Sequence, residues 1–352
     1  MKGIILHGGA GTRLRPITHT GPKQLIPIGN KPMSQYTLEY LTNSGIRDIA
    51  IILGDIYPEK VREYYGDGSN FNCSITYINQ GKPLGIAHAI YLARDFVGDD
   101  KFVVILGDNL IGESIEKFTK KFVNSDYDAY LLFSETSHPW DFGVAKFSND
   151  GRLIGMIEKP KNPPSNYAIT GIYYFNKKIF DHIKDLKPSW RGELEITEAI
   201  QSLMDSGGRI GYDIIKGWWK DTGTVEDILS ANRLVLDSIN GSIERINVQG
   251  KVILGKNVKI SDDSKVRGPA IIGDNVEIIE GAFIGPYTSI GENCKVKRAS
   301  IENSIIMKNS VIDTENIIID SIIGEGSQIM NANSLKPKGI RLIIGENSKM
   351  HI

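Results

Sequence analysis

Two kinds of pattern take turns through the first hundred residues. Short apolar runs, GIILH at 3–7, DIAIIL at 48–53, SITYI at 74–78 and FVVIL at 102–106, alternate with helical patterns over 31–44, 58–65 and 86–96. The short runs suit strands, and the longer periodic stretches suit helices. Pro32 stands near the start of the first helical stretch, where a missing N–H costs nothing, and Gly45 just past its end. This alternation predicts βαβ units on a largely parallel sheet. Ligands of such sheets sit beyond the carboxyl ends of the strands, so residues 7–13 and 107–109 should share one rim.

After about residue 240 the period becomes six. Leu254, Ile260, Val266, Ile272, Ile278, Ile284, Ile290 and Val296 are evenly spaced, and after a three-residue slip the period resumes at Ile305, Val311, Ile317, Ile323 and Ile329. Glycine follows at Gly255, Gly273, Gly285, Gly291 and Gly324. Neither a helix nor an ordinary strand has this period; the hexapeptide repeats of a parallel β-helix do, with one inward apolar residue per flat face and glycine relieving the turn. The pattern predicts two domains, 1–240 and 246–352. The flat sides of a solenoid suggest homo-oligomerisation. Acyl transfer in such a domain generally needs a histidine base, and only His351 follows residue 240.

Composition narrows the partners. The 352 residues carry 41 Lys and Arg against 42 Asp and Glu, a balance that gives no electrostatic reason for a nucleic-acid or membrane-surface partner. The start MKGIILHGG is too short in apolar residues for a signal peptide or spanning helix, which predicts a cytoplasmic protein. Cys73 and Cys294 are far apart, with no C-x-x-C spacing, and read as ordinary buried thiols.

The stretch HGGAGTRLRPITHTGPKQL, at 7–25, carries the candidate chemistry. It lacks both the G-x-G-x-x-G dinucleotide fingerprint and the Walker G-x-x-x-x-G-K-[ST] pattern. Gly8, Gly9 and Gly11 still let backbone N–H groups approach an anion, and Arg13 and Lys23 bring permanent charge. A tight turn with solvated basic residues is the alternative reading.

The strings GGAGTRLRPIT, KQL, YINQGKPLGIAHAI, LGDN, FGVAKF, EKP, TGIYYF, RGELEIT and WWKDTGT together resemble the sugar nucleotidyltransferases, in the order and at roughly the spacing of that family. The KQL variant and the added hexapeptide domain resemble the long form of the glucose-1-phosphate thymidylyltransferases. The resemblance spans essentially the whole chain. It implies an α/β fold, a Rossmann-like nucleotide-diphospho-sugar transferase domain with a mostly parallel mixed sheet, followed by a left-handed parallel β-helix. The implied reaction joins dTTP and α-D-glucose 1-phosphate into dTDP-glucose and pyrophosphate by in-line attack on the α-phosphorus. Two polyanions must meet, so catalysis should rest on positioning and charge neutralisation.

The resemblance then assigns residues. Arg13, with backbone N–H groups around Gly8, Gly11 and Thr12, would grip the β,γ-phosphates. Lys23 would touch the triphosphate, and Lys159 the sugar phosphate and α-phosphate. Asp108 and Asp221 would hold Mg²⁺, which favours oxygen ligands; each could otherwise be a turn or N-cap aspartate. Gln80 would read the thymine edge, Gly85 would let the ring approach, and Gln24 belongs to the same region. Asn109, Gly143, Glu158, Ile169 and Thr170 would surround the hexose. Tyr173 and Arg191 are further candidates, although Tyr173 could equally be core. Trp140, Trp218 and Trp219 invite sugar stacking, but Trp219 is expected to pack under the Asp221 turn.

His7 stands where the family carries a small residue. Either it turns sideways to bond neighbouring backbone, or it contacts the nucleotide and tunes affinity near neutral pH. Two functional alternatives stay open: the same chemistry with UTP or another sugar phosphate, such as glucosamine 1-phosphate with an acetyltransferase domain, and a non-catalytic regulatory subunit of the same fold.

Overall fold

The computed structural model describes residues 1–331. These form two compact units; the first comprises Met1–Ala10, Thr20–Leu25 and Met33–Asp221, and the second Gly11–His19, Ile26–Pro32 and the described chain from Thr222 on.

The first unit is built on a mixed sheet. Strands β1 (Lys2–His7), β2 (Asp48–Leu53), β3 (Ser74–Asn79) and β4 (Phe102–Leu106) pair in parallel in the order β3-β2-β1-β4. The runs of β1, β2 and β4 are buried on both faces: Ile4, Ala50, Ile52 and Val104 face one core, and Ile5, Ile49, Ile51 and Val103 the other, whereas β3, at the sheet edge, alternates between exposed and half-buried positions along most of its length. Strand β5 (Asn109–Ile111) lies outside this sheet and belongs to a two-stranded ribbon of its own. Strands β6 (Ala129–Glu135), β7 (Gly143–Phe147), β8 (Leu153–Glu158), β9 (Tyr167–Phe175) and β10 (Ile210–Ile214) complete the sheet. Around β9 the direction reverses, since β9 runs antiparallel to β4, β6 and β7.

Helix α1 (Met33–Asn43) buries Met33, Thr37, Leu38 and Leu41 on one side. A Cβ on Gly3 would come 2.9 Å from Leu41 Cδ1, so the missing side chain lets this helix lie close on β1. Lys31 and Pro32, expected in the helix, pair as a short strand with Pro27–Ile28 instead. Helix α2 (Pro58–Tyr65) follows β2; α3 (Ile86–Leu92) ends at Ala93, earlier than the periodicity suggests, and a separate turn of helix follows. Helix α4 (Ile196–Asp205) packs against the β8 edge. Ribbon partner β11 (Trp219–Asp221) closes the unit.

In the second unit, helix α5 (Val225–Asp237) starts at a reciprocal capping box between Thr224 and Asp227. It precedes a solenoid of short parallel strands stacked in three sheets, a parallel β-helix. Val266, Ile272, Ile278, Ile284, Ile290 and Val296 point inward as the period requires, each at most 2% exposed. The pairing register is 18 residues there, for example Ile272 to Ile290, and shortens to 17 or 16 afterwards, for example Ile284 to Ile301 and Ile290 to Ile306. The slip therefore consists of shortened corners, and the inward set continues at Ile301, Ile306, Ile312, Ile318, Ile323 and Ile329. Ile317, expected inside, is 71% exposed, because one residue of shift turns a strand position to the other face.

The glycines serve close approach more than turning. A Cβ on Gly273 or Gly291 would stand 2.6 or 2.5 Å from a backbone nitrogen of the next coil, Glu292 or Lys308. The turns use asparagine: Asn257, Asn275, Asn293 and Asn309 all have φ between 57 and 60°, and their amides bond in a ladder at 3.0–3.1 Å. His351 lies outside the described residues. No helix among the described residues is long and apolar enough to cross a membrane.

Candidate active site

Within the first unit, the carboxyl ends of β1 to β4 bring together His7, Gly54, Gln80 and Gly107–Asp108. Gly8 lies under Gln80, whose Oε1 would be 2.9 Å from a Cβ there; Gln80 Nε2 donates to the Gly85 carbonyl at 3.3 Å. Gln24 is buried and its Nε2 donates to the Gly8 carbonyl at 2.7 Å, so it braces the loop from beneath. Gly9 takes φ +97° and passes 3.9 Å, at its would-be Cβ, from Lys23 Cε. Gly85 has φ +109° and would collide with Leu194 if it carried a side chain; what it admits in this structure is the Leu194 backbone.

The charged centre lies beside this loop. Lys23 Nζ donates to Asp108 Oδ2, with the side chains only 12% and 15% exposed. Asn109 Nδ2 donates to the other Asp108 oxygen at 3.1 Å, and Trp219 Nε1 donates to Asn109 Oδ1 at 2.8 Å. Burial would push the Asp108 carboxyl upward; the Lys23 ammonium and the hydrogen bonds from Lys23 and Asn109 outweigh it and hold Asp108 below the usual carboxylate range. The β5–β11 register sets Asp221 opposite Asn109, one residue from Asp108. Two carboxylates thus end one ribbon.

Trp219 was expected under the Asp221 turn. It lies instead on the ladder two residues before it, orienting Asn109 and meeting the Phe142 ring edge-on at 4.9 Å. Trp140 is half-exposed and pairs with His138. Trp218 lies against Gly112, which has no room for a Cβ.

A second cluster forms where β7, β8, β9 and α4 converge. Glu158 Oε2 accepts from Thr197 Oγ1 at 3.1 Å, and Gly143 leaves room for both: its Cβ would meet Thr197 at 2.6 Å, Glu158 at 3.1 Å and Ile169 at 3.2 Å. Arg191 spans three carboxylates, Glu158 at 3.6 Å, Glu193 at 3.1 Å and Glu195 at 3.3 Å. Burial, then the Glu195 charge, raise the Glu158 pKa. Glu158, Glu195, Thr197 and Trp190 help line a cavity of about 490 Å³. A register shift in β9 between Ile169 and Tyr173 carries Thr170 and Gly171 out of the regular ladder. Gly171, at φ +70°, approaches Asn109 there, while Thr170 itself is buried and donates to the Leu132 carbonyl at 2.9 Å. Thr197, Glu195 and Gly171 escaped the sequence reading, although all lie in the quoted strings RGELEIT and TGIYYF.

Tyr173 joins the two clusters. It is buried, and after burial itself the charges of Glu158, Asp108 and Glu195 raise its pKa, so it belongs to the core and faces both carboxylate groups. Lys159 is exposed at a turn with φ +41°, its N–H bonded to the Phe142 carbonyl at 3.0 Å. Gly11, Thr12 and Arg13 belong to the second unit. Gly11 is left-handed and caps a short 3-10 turn, and the Arg13 guanidinium packs over Gly223, whose Cβ would stand 3.0 Å from Nη2.

The His7 ring does not make the expected bond to neighbouring backbone. Its ring is buried, meets Tyr65 edge-on at 6.1 Å, and neither ring nitrogen has a hydrogen-bond partner among the described residues. Burial lowers its pKa to about 3, against the opposing pull of Asp108. It is neutral throughout the physiological range.

Residues 2–238 match the nucleotidyl transferase family model, and residues 266–351 the GMPPB C-terminal domain. The chain is 46% identical to the low-salt glycan biosynthesis nucleotidyltransferase Agl11 of Haloferax volcanii, with all of both chains covered. It is 42% identical to a glucose-1-phosphate thymidylyltransferase of Streptomyces antibioticus, covering all of this chain and 99% of the relative. Among solved structures, UDP-glucose pyrophosphorylase complexed with UDP-glucose superposes with a TM-score of 0.60 at 26% identity, over 67% of this chain and 98% of that one. The chain belongs to the nucleotidyl transferase family, and joins to that domain a parallel β-helix.

Proposed function

We propose that this protein transfers a thymidylyl group from dTTP to α-D-glucose 1-phosphate, releasing pyrophosphate. The observation that carries the reading is the chain of bonds Trp219–Asn109–Asp108–Lys23 at the carboxyl rim of the sheet. It holds a carboxylate ionised and an ammonium at hand, the pair of charges needed where a phosphate and a cation meet. The Streptomyces relative's activity supports the choice of dTTP and glucose 1-phosphate.

The residues present fit a divalent cation. Asp108 and Asp221 are hard oxygen donors one ladder position apart, and magnesium usually takes one or two carboxylates plus substrate phosphates rather than a full protein cage. Bound there, the ion would supply charge neutralisation at the phosphates. The protein's own groups do the rest. Lys23 offers its ammonium to the triphosphate, and Arg13 keeps the phosphate-gripping role that its motif implies. Gln80 presents an amide to the base edge. Glu158, oriented by Thr197 and Arg191, accepts hydroxyl hydrogen bonds from a hexose in the cavity it lines. Lys159 would meet the sugar phosphate. Ile169 and Thr170 would offer backbone to the hexose, while Tyr173 stays in the core.

The test is pyrophosphate release from a panel of nucleoside triphosphates and sugar 1-phosphates with Mg²⁺. Release with at least one pair supports the transferase reading; silence toward every pair overturns it and favours a regulatory subunit.

A further inference from the structure

Gly11–His19, which carries Arg13, belongs to the same compact unit as the β-helix. Asn232 on α5 is fully buried and makes three bonds to distant parts of that unit. Its Oδ1 accepts from the Gly29 N–H at 2.9 Å and from Ser289 Oγ at 2.8 Å, and its Nδ2 donates to the Tyr287 carbonyl at 3.1 Å. Gly29 and Asn30 both have positive φ, 56° and 62°, and form the two-residue turn of the Pro27–Ile28/Lys31–Pro32 hairpin. Asn30 in turn donates to the Ile290 carbonyl at 2.6 Å. A hairpin, a helix and a coil of the solenoid are therefore locked on one buried amide.

The other end of α5 meets the loop. Gly223 immediately precedes the Thr224 cap, and the Arg13 guanidinium lies over it. The loop itself is closed by Thr18 Oγ1 on the Gly11 carbonyl at 2.8 Å and by the Leu14 N–H on the same carbonyl at 2.9 Å, with Leu14 buried. A buried side chain that satisfies three backbone and side-chain groups specifies one arrangement, since alternatives leave those groups unpaired.

We propose that Asn232 is a positioning residue: it fastens α5 to the β-helix, and α5 in turn presents the surface on which Arg13 rests. The β-helix is then a mount for the nucleotide loop. The kinetic part of this inference rests on Arg13 gripping the triphosphate, as proposed above.

The test compares the full chain with Asn232→Ala and, as a milder change, Ser289→Ala, which removes a single bond. Hydrogen exchange is read on the fragment spanning 11–19, and KM for dTTP and for glucose 1-phosphate is read alongside melting. The expected result for Asn232→Ala is exchange in 11–19 at least about fivefold faster while 102–106 is unchanged. KM for dTTP should rise about fivefold or more, KM for glucose 1-phosphate should move less than twofold, and Ser289→Ala should shift both in the same direction by less. Unchanged exchange in 11–19 in both variants, with only a lower melting temperature, overturns the proposal. So does an unchanged KM for dTTP when Arg13→Ala raises it. If Arg13→Ala leaves that KM unchanged, the triphosphate reading of Arg13 has failed, and the exchange measurement alone decides whether Asn232 mounts the loop.

Discussion

Single atoms at the rim decide what this site does. Asp108 is kept ionised by Lys23 and Asn109, and replacing it with asparagine removes the charge while keeping the shape. Asp108→Asn should lower turnover at saturating Mg²⁺ by at least about tenfold, because a weakened metal no longer neutralises charge in the transition state; near wild-type turnover would refute the metal role. His7 predicts a different signature. Its pKa is about 3 in the folded chain against about 6.5 for a free histidine, so between these the unfolded chain takes the proton and the native one does not. Stability contributed by neutral His7 is present above about 6.5 and is lost as the pH falls, at up to about 1.4 kcal/mol per unit. Urea midpoints measured from pH 7 to 4 should fall less steeply in His7→Ala than in the wild type, and equal slopes would contradict the buried neutral ring. The KM for dTTP should respond to pH between 6 and 8 in the same way in both. No sequence pattern could show that the His7 ring nitrogens find no partner among the described residues, since burial comes from β2, β4 and α2, far along the chain.

Elements explain why some glycines are fixed and others free. Gly85 combines a φ of +109° with a would-be Cβ 2.5 Å from the Leu194 carbonyl oxygen and 2.7 Å from its nitrogen. Gly85→Ala should destabilise the chain by at least about 2 kcal/mol in urea unfolding, as left-handed strain and overpacking add. In the β-helix the Asn275 amide bonds on both sides. Asn275→Ala should cost roughly 1–3 kcal/mol, and Asn275→Gly, which restores the left-handed turn without the bonds, should recover part of it in the same measurement. The parallel strands β1 to β4 were legible within a residue or so because each is a short run dominated by apolar or β-branched residues between turn signals. The reversal at β9 was not, because TGIYYF reads as a strand whichever way it runs. The six-residue period revealed the solenoid. Its inward set is one residue off at Val311 and Ile317 and in register at Ile323 and Ile329, because corners shortened by one or two residues leave isoleucine on both faces, as at Ile305–Ile306 and Ile317–Ile319.

At the scale of the whole molecule, one chain joins a nucleotide-binding sheet to a solenoid, and the glycine-rich motif at 8–13 divides between the two compact units. Motif spacing named Lys23, Asp108 and Asn109 of the first cluster and Gly143, Glu158 and Arg191 of the second, because each stands in a compact string. Spacing could not show that Thr197, Glu195 and Trp219 hold those residues in place, since that depends on α4 and the β5–β11 ribbon folding back onto the rim. Nor does it choose among bases, and the two full-length relatives carry different descriptions. The direct measurement is kcat/KM for dTTP and for UTP, each with glucose 1-phosphate and Mg²⁺. The thymidylyl reading predicts the higher value with dTTP, and a clear preference for UTP would contradict it.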